Sequence, residues 1–269
     1  MVSKRDFTFE GGSITAVDQG LLIALNNFFD DGLEDTSTPK PTLIEELPNI
    51  HIVPFHSPIK IEFVRNAHKK VISIVVCLEY LKQLLKNDRN QFDYLFKKES
   101  QFFIEELMST DILRIANEIS NTNINPSLPD FFYKLKTIEL LYCLFRNLGK
   151  RKEIQHHNVS SKELKAIYKV RDALVANLDK SPTVKELVKI GGMNELKLRR
   201  LFTQIFGSGL YDYFQSIRMQ EAARLLKEEQ LSVSEVGYHL GFTNLSHFTR
   251  LFEEHTGIKP KKWSMDKKL

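Results

Sequence analysis

The stretch that decides the fold is residues 232–257, SVSEVGYHLGFTNLSHFTRLFEEHTG. It begins with Ser232 and Glu235, whose spacing is that of a capping box, in which a hydroxyl and a carboxylate satisfy backbone donors at a helix start. Gly241 then permits a sharp turn, and Gly257 ends a second segment of helical spacing. The pattern predicts two short helices joined by a tight turn, which is a helix-turn-helix.

The same pattern occurs about fifty residues earlier, in residues 183–207. Thr183 and Glu186 form its capping box, and Gly192 stands at its turn. Both copies continue with the string Arg-Leu-Phe, at 200–202 and 250–252. A single copy would fit a purely structural helical hairpin equally well, but two matching copies favour a pair of DNA-binding units. We expect one long helix, Leu210–Glu228, to join them, with a length of roughly 27 Å.

The charge of the chain is unevenly distributed along the sequence. Residues 1–159 contain 19 Lys and Arg against 21 Asp and Glu, whereas residues 160–269 contain 19 against 13. The whole net charge of +4 therefore comes from the C-terminal part. A basic segment joined to a neutral one is typical of a phosphate-binding module with a separate partner domain.

Before this basic part, the sequence predicts strands followed by helices. Short apolar runs interrupted by prolines predict strands at 20–25, 51–55, 59–64 and 71–78. Helical spacing predicts helices at 80–86, 92–107, 112–119 and 131–148, and the polar segment 149–161 is expected to be a linker. The predicted fold class is α+β, with a β-rich then helical domain at 1–155. The second domain, at 163–269, is expected to be all-α, with two helix-turn-helix units joined by a long helix.

The C-terminal stretch from about 165 to 263 resembles the DNA-binding domain of AraC/XylS-type transcription regulators. The resemblance rests on residues 236–242, Phe248, residues 250–252, Gly257 and Pro260. The sequence departs from the family at Val188 and Gly237, where a small alanine is usual. The resemblance implies sequence-specific DNA binding in transcription regulation. It also implies an N-terminal domain that senses a small molecule, dimerises, or both.

The predicted DNA-facing residues follow from the outward faces of the two second helices. On the first we expect an inward stripe of Leu198, Leu201, Phe202 and Ile205, and on the second one of Phe248, Leu251, Phe252 and His255. The predicted DNA-binding residues are Leu196, Lys197, Arg199, Arg200, Asn244, Ser246, His247, Thr249 and Arg250. Arg199 and Arg200 are the leading base-reading candidates because arginine fits the O6/N7 edge of guanine, and their alternative role is a phosphate contact.

The helix at 131–148 has more apolar residues than one buried face needs. Phe131, Leu135, Ile138, Tyr142 and Phe145 form one stripe, and Leu141, Leu144 and Leu148 widen it. We expect a homodimer through this helix, with Leu141 and Leu148 outward. The alternative is a helix wholly buried in its own domain.

The remaining features argue against other classes of protein. No apolar run approaches the roughly 18 residues of a membrane span. The first twenty residues lack a basic start followed by an apolar core, so we expect no secretory signal and a cytoplasmic protein. Cys77 and Cys143 are expected to be buried and inert, and His156 with His157 lacks a third metal ligand. We therefore expect no enzyme activity and no cofactor. The competing classes are an enzyme with a DNA-binding tail and an adaptor protein, and a small-molecule effector and RNA polymerase remain candidate partners.

Overall fold

The computed structural model describes residues 12–16, 19–26, 48–57, 59–63, 71–96, 102–121, 128–151, 158–228 and 231–265. The chain forms two compact units, residues 1–159 and 160–269. None of the helices within the described ranges is long and apolar enough to cross a membrane.

The described residues of the N-terminal unit form two antiparallel sheets. The strands are β1 Gly12–Ala16, β2 Gly20–Asn26, β3 Asn49–Phe55, β4 Ile59–Phe63, β5 Val71–Cys77 and β6 Ile104–Leu107. β1 pairs with β4, and the other four form a sheet in the order β5-β2-β3-β6. The four predicted strands are confirmed, while β1 and β6 were not predicted.

One face of the larger sheet forms the core of this unit. Leu21, Ile23 and Leu25 of β2 are fully buried and alternate with half-buried positions, as expected of a strand with one face in a core. The helices are α1 Leu78–Leu85, α2 Thr110–Ser120 and α3 Pro129–Leu148, with a 3₁₀ stretch, Lys86–Phe96, after α1. Buried residues of β2, β3, α2 and α3 belong to one apolar cluster.

The prediction of a helix at 92–107 is wrong. Residues 92–96 lie in the 3₁₀ stretch, and Ile104–Leu107 is the edge strand β6, paired with β3. Ile104 lies opposite Ile52 and is fully buried, so pairing with the edge of the sheet places it in the core. Helical spacing is a local signal, and here a tertiary strand pairing overrides it.

The predicted outward face of α3 is also wrong. Leu141, Leu148 and Phe145 are buried in the apolar cluster. The exposed apolar side chains of α3 are Phe131, Leu135, Ile138 and Tyr142, each more than two-fifths exposed. Their spacing of four, three and four residues defines a separate face, which we call the α3 stripe.

Two further expectations about the N-terminal unit need correction. Cys143 is buried, and burial raises the pKa of its thiol, but Cys77 at the end of β5 is exposed. Part of the predicted linker belongs to this unit, since the Arg151 guanidinium donates to the Glu105 carbonyl oxygen at 2.9 Å and to the Glu106 carboxylate. His156 and His157 lie outside the described residues.

The described residues of the C-terminal unit form helices with short connections. They are α4 Ser161–Val175, α5 Val184–Gly191, α6 Glu195–Phe206, α7 Leu210–Glu228, α8 Val233–His239, α9 Leu245–Thr256 and α10 Pro260–Met265. α7 is the longest and packs against α4, α6, α8, α9 and α10. Around it, Phe202, Phe206 and Tyr213 form an aromatic cluster on the α6 side, and Phe242, Phe248 and Phe252 form a second on the α9 side.

Candidate nucleic-acid interface

The first helix pair, α5 and α6, begins and turns where its sequence signals lie. The Glu186 carboxylate accepts hydrogen bonds from the backbone N–H of Thr183 at 2.7 Å and from its hydroxyl at 2.8 Å, which completes the capping box. Gly192 ends α5 with φ 59°, a left-handed conformation that favours glycine. The Asn194 side chain then caps α6 by accepting from the Lys197 N–H at 2.9 Å.

The second pair, α8 and α9, repeats this construction. Ser232 and Glu235 form its capping box, and Gly241 has φ 76° at the turn. The Asn244 side-chain oxygen accepts from the backbone N–H of Ser246 at 2.9 Å and of His247 at 3.1 Å. Asn244, predicted as a DNA contact, therefore already uses its oxygen to cap α9.

The turn of the second pair is held by residues from two other elements. A Cβ at Gly241 would lie 2.1 Å from the carbonyl oxygen of Asp179, which precedes α5, so the chain passes too closely there for a side chain. Arg218 of α7 donates to the Leu240 carbonyl oxygen, and its guanidinium lies 3.8 Å from the centre of the Phe242 ring. Sequence reasoning missed Arg218, although its position four residues from both Phe214 and Ala222 is a visible signal.

Arg218 is almost fully buried, and burial lowers its pKa. Its second terminal nitrogen donates to the Gln215 side-chain oxygen at 3.1 Å. Stacking on an aromatic face and donation to a helix C-terminal carbonyl both stabilise a guanidinium. The arrangement connects the long helix α7 to the turn that positions α9.

The departure from the family at Gly237 also has a physical explanation. Gly237 is buried, and a Cβ there would lie 2.6 Å from Leu245 Cδ2 and 3.3 Å from a ring carbon of Phe248. The Leu245 side chain therefore takes the space that an alanine methyl group would need.

The buried face of α6 is as predicted, and the opposite face is open. Leu198, Leu201, Phe202 and Ile205 are buried. Of the predicted contact residues, Leu196, Arg199 and Arg200 are exposed, and the Leu196 side chain is 81% exposed. Such a large apolar side chain at the start of an exposed helix face can contact a thymine methyl group.

The three cations of α6 differ in their partners. Arg199 Nε lies 2.7 Å from Glu195 Oε1 on the same helix, and Lys197 Nζ lies 2.8 Å from Glu163 Oε1 of α4. Arg200 forms no ion pair or side-chain hydrogen bond with any residue that the structure describes. Its guanidinium is thus the α6 cation most available to an external anion.

The predicted contact residues of α9 are less uniform. Ser246 and Arg250 are exposed, whereas His247 and Thr249 are half-buried. The His247 ring packs edge-on against Phe242, and Arg250 Nη1 lies 3.4 Å from Glu254 Oε1. On the predicted inner stripe Phe248 and Phe252 are fully buried and Leu251 is half-buried. His255, expected on that stripe, is exposed instead because it lies in the last turn of the helix.

Comparison with known proteins identifies this part of the chain. Residues 187–265 match the family described as a helix-turn-helix domain. The chain is 30% identical over 120 residues to the regulatory protein PchR of Pseudomonas aeruginosa, covering 44% of this chain and 40% of that protein. It is 29% identical over 126 residues to the transcriptional activator RhaR of Enterobacter sp. (strain 638), covering 46% and 45%.

A solved regulator with an AraC-type DNA-binding domain, from Chromobacterium violaceum, is similar over 39% of this chain and 95% of its own, with 22% identity and a TM-score of 0.37. The chain spans less than half the length of the two relatives above. The resemblance inferred from the sequence is confirmed: the C-terminal unit contains a helix-turn-helix DNA-binding domain of the AraC type.

Proposed function

We propose that this protein is a sequence-specific transcription regulator whose two helix pairs, α5–α6 and α8–α9, are two DNA-binding helix-turn-helix units. The observation that carries the proposal is the twofold construction of the C-terminal unit. Each pair starts with a capping box and ends in a second helix with one buried and one open face. A structural hairpin would also expose a polar face, but it gives no reason for two matching copies in one basic unit.

The long helix α7 gives these two units a spacing suited to DNA. Its 19 residues span roughly 27 Å at 1.5 Å per residue. Successive major grooves on one side of a duplex are roughly 34 Å apart. A single chain can therefore place α6 and α9 in adjacent grooves.

We assign the DNA contacts to the open faces of α6 and α9. On α6 they are Leu196, Lys197, Arg199 and Arg200, and on α9 they are Asn244, Ser246, His247, Thr249 and Arg250. α9 also carries Glu253 and Glu254, which repel phosphate, so α6 supplies the larger share of affinity. Arg200 is the leading base-reading residue because its guanidinium has no partner among the described residues.

The N-terminal unit is proposed to dimerise the protein through the α3 stripe and to receive a small-molecule effector. Four apolar side chains in a row on one exposed helix face are a surface that a second copy can cover. Dimerisation would bring two DNA-binding units together and raise their avidity.

The relatives suggest activation, and through it contact with RNA polymerase. RhaR and the Escherichia coli protein AggR, which is 28% identical over 127 residues, are both named transcriptional activators. These names are regulator names, which favours a regulator over an enzyme with a DNA-binding tail.

The proposal is tested by equilibrium binding of the full chain, and of residues 160–269, to fluorescent duplex DNA from the source genome. Both proteins should bind, and affinity should fall steeply between roughly 50 and 200 mM salt because bound phosphates release counterions. The proposal is overturned if the fragment of residues 160–269 does not bind DNA. It is also overturned if the affinity does not change with salt concentration.

A further inference from the structure

Glu163, at the start of α4, uses its two carboxylate oxygens for two different partners. Oε2 accepts from the Ser160 backbone N–H at 2.8 Å and from the Ser160 hydroxyl at 2.6 Å, in the capping box of α4. Oε1 lies 2.8 Å from Lys197 Nζ of α6. Lys197 first, and then the two Ser160 donors, lower the pKa of Glu163 to about 2, so the carboxylate is charged at any physiological pH.

Lys197 lies beside the open face of α6. Its neighbour Leu196 is 81% exposed, and the Lys197 side chain itself is 39% exposed. The ammonium group is therefore within reach of solvent and of an anion that approaches α6. Lysine binds phosphate as a mobile point charge on a flexible stem. The Glu163 carboxylate, at 2.8 Å, forms an ion pair with the same ammonium group.

We infer that Glu163 competes with DNA phosphate for Lys197 and so lowers the affinity of this protein for DNA. This inference rests on the proposed function of α6. When DNA binds, the Lys197 ammonium moves from the carboxylate to a phosphate, and the ion pair with Glu163 is broken. Exposed ion pairs are weak, so the competition is worth about two- to fivefold in affinity.

A matched pair of variants isolates the effect in the full chain. Glu163→Gln and Glu186→Gln each remove one negative charge from the third position of a capped helix, and each amide keeps an oxygen that can accept from the cap. Glu163 is paired with a lysine on α6, whereas Glu186 forms no such pair with any residue that the structure describes. The probe is the fluorescent genomic duplex, titrated at several salt concentrations.

We expect E163Q to bind the duplex about two- to fivefold more tightly than E186Q, and its salt dependence to steepen by about one phosphate contact. In a Lys197→Met background the two variants should bind equally. The inference is overturned if E163Q binds no more tightly than E186Q, or if its advantage persists without Lys197. Weaker binding by E163Q would show instead that the ion pair holds α6 in place. Absence of binding by the wild-type chain would refute the proposed function as well.

Discussion

At the scale of single residues, Arg199 and Arg200 are adjacent, exposed and alike in charge. We nevertheless expect them to contribute differently to the free energy of DNA binding. Arg199 is paired with Glu195 at 2.7 Å, whereas Arg200 has no ion-pair partner among the described residues. We expect Arg200→Ala to cost about 1 to 3 kcal/mol of binding free energy on the preferred site and to relax selectivity at one base pair. Arg199→Ala should cost less.

Selection of binding sites from randomised duplexes with each variant distinguishes base reading from phosphate contact. A phosphate contact by Arg200 would weaken binding to all sequences equally and leave the selected site unchanged. Equal losses for the two variants would contradict the assignment.

The sequence alone predicted which side chains of α6 are buried and which are exposed, because helical periodicity separates the two faces of the helix. The partners of the cations could not be predicted in the same way. Glu163 lies on another helix, α4, and only the fold brings it to Lys197. Arg218 was missed for a related reason, since it lies on α7 and its partners Leu240 and Phe242 belong to the second helix pair.

At the scale of elements, the turn between α8 and α9 should tolerate a side chain in place of its glycine far less well than the end of α9 does. Gly241 and Gly257 have similar φ angles of 76° and 80°, so alanine at either position is strained by about 1 to 2 kcal/mol. Only at Gly241 does a neighbour intervene, the Asp179 carbonyl oxygen, while nothing lies within 4 Å of a Cβ at Gly257. Gly241→Ala should lower the free energy of unfolding by about 1 to 3 kcal/mol more than Gly257→Ala.

The single tryptophan of the chain makes this comparison direct. Trp263 donates to the Ala223 carbonyl oxygen at 3.0 Å and packs edge-on against Phe252, so its fluorescence reports unfolding of the C-terminal unit. Urea titrations followed by that signal give both values. Equal destabilisation would mean that the loop before α5 moves aside freely.

The α3 stripe leads to a second prediction at this scale. Charged replacements within it, Leu135→Glu with Ile138→Glu, should convert a homodimer into a folded monomer because these side chains are exposed in a single chain. Leu84→Glu, at an exposed leucine on α1, is the control and should leave the dimer intact. Sedimentation at tens of micromolar measures the outcome. A monomeric wild-type chain, or equal dissociation by the control, would contradict the proposal.

The elements show where local pattern suffices and where it does not. The helices of the two pairs and α7 were predicted because caps, glycines and periodicity agree there. In the N-terminal unit the spacing over 92–107 was misleading, since Ile104 finds its buried position by pairing with β3. On α3, apolar residues cover more than one face, so sequence alone could not tell that Leu141 is buried and Tyr142 exposed.

At the scale of the whole molecule, a basic C-terminal unit is joined to an N-terminal unit of nearly balanced charge. The division into two units follows the change in composition along the chain. The effector proposed for the N-terminal unit does not follow from any such signal, because a binding site built from several strands has no local sequence pattern.

We propose that one chain reads DNA with two helices, α6 and α9, in adjacent major grooves. Selection of binding sites from fully randomised duplexes by the full chain measures whether it does. We expect two short blocks of preferred sequence per chain, with centres about 10 base pairs, or one helical turn, apart, and the stronger preference in the block read by α6. A single block, or two blocks whose spacing varies freely, would contradict it.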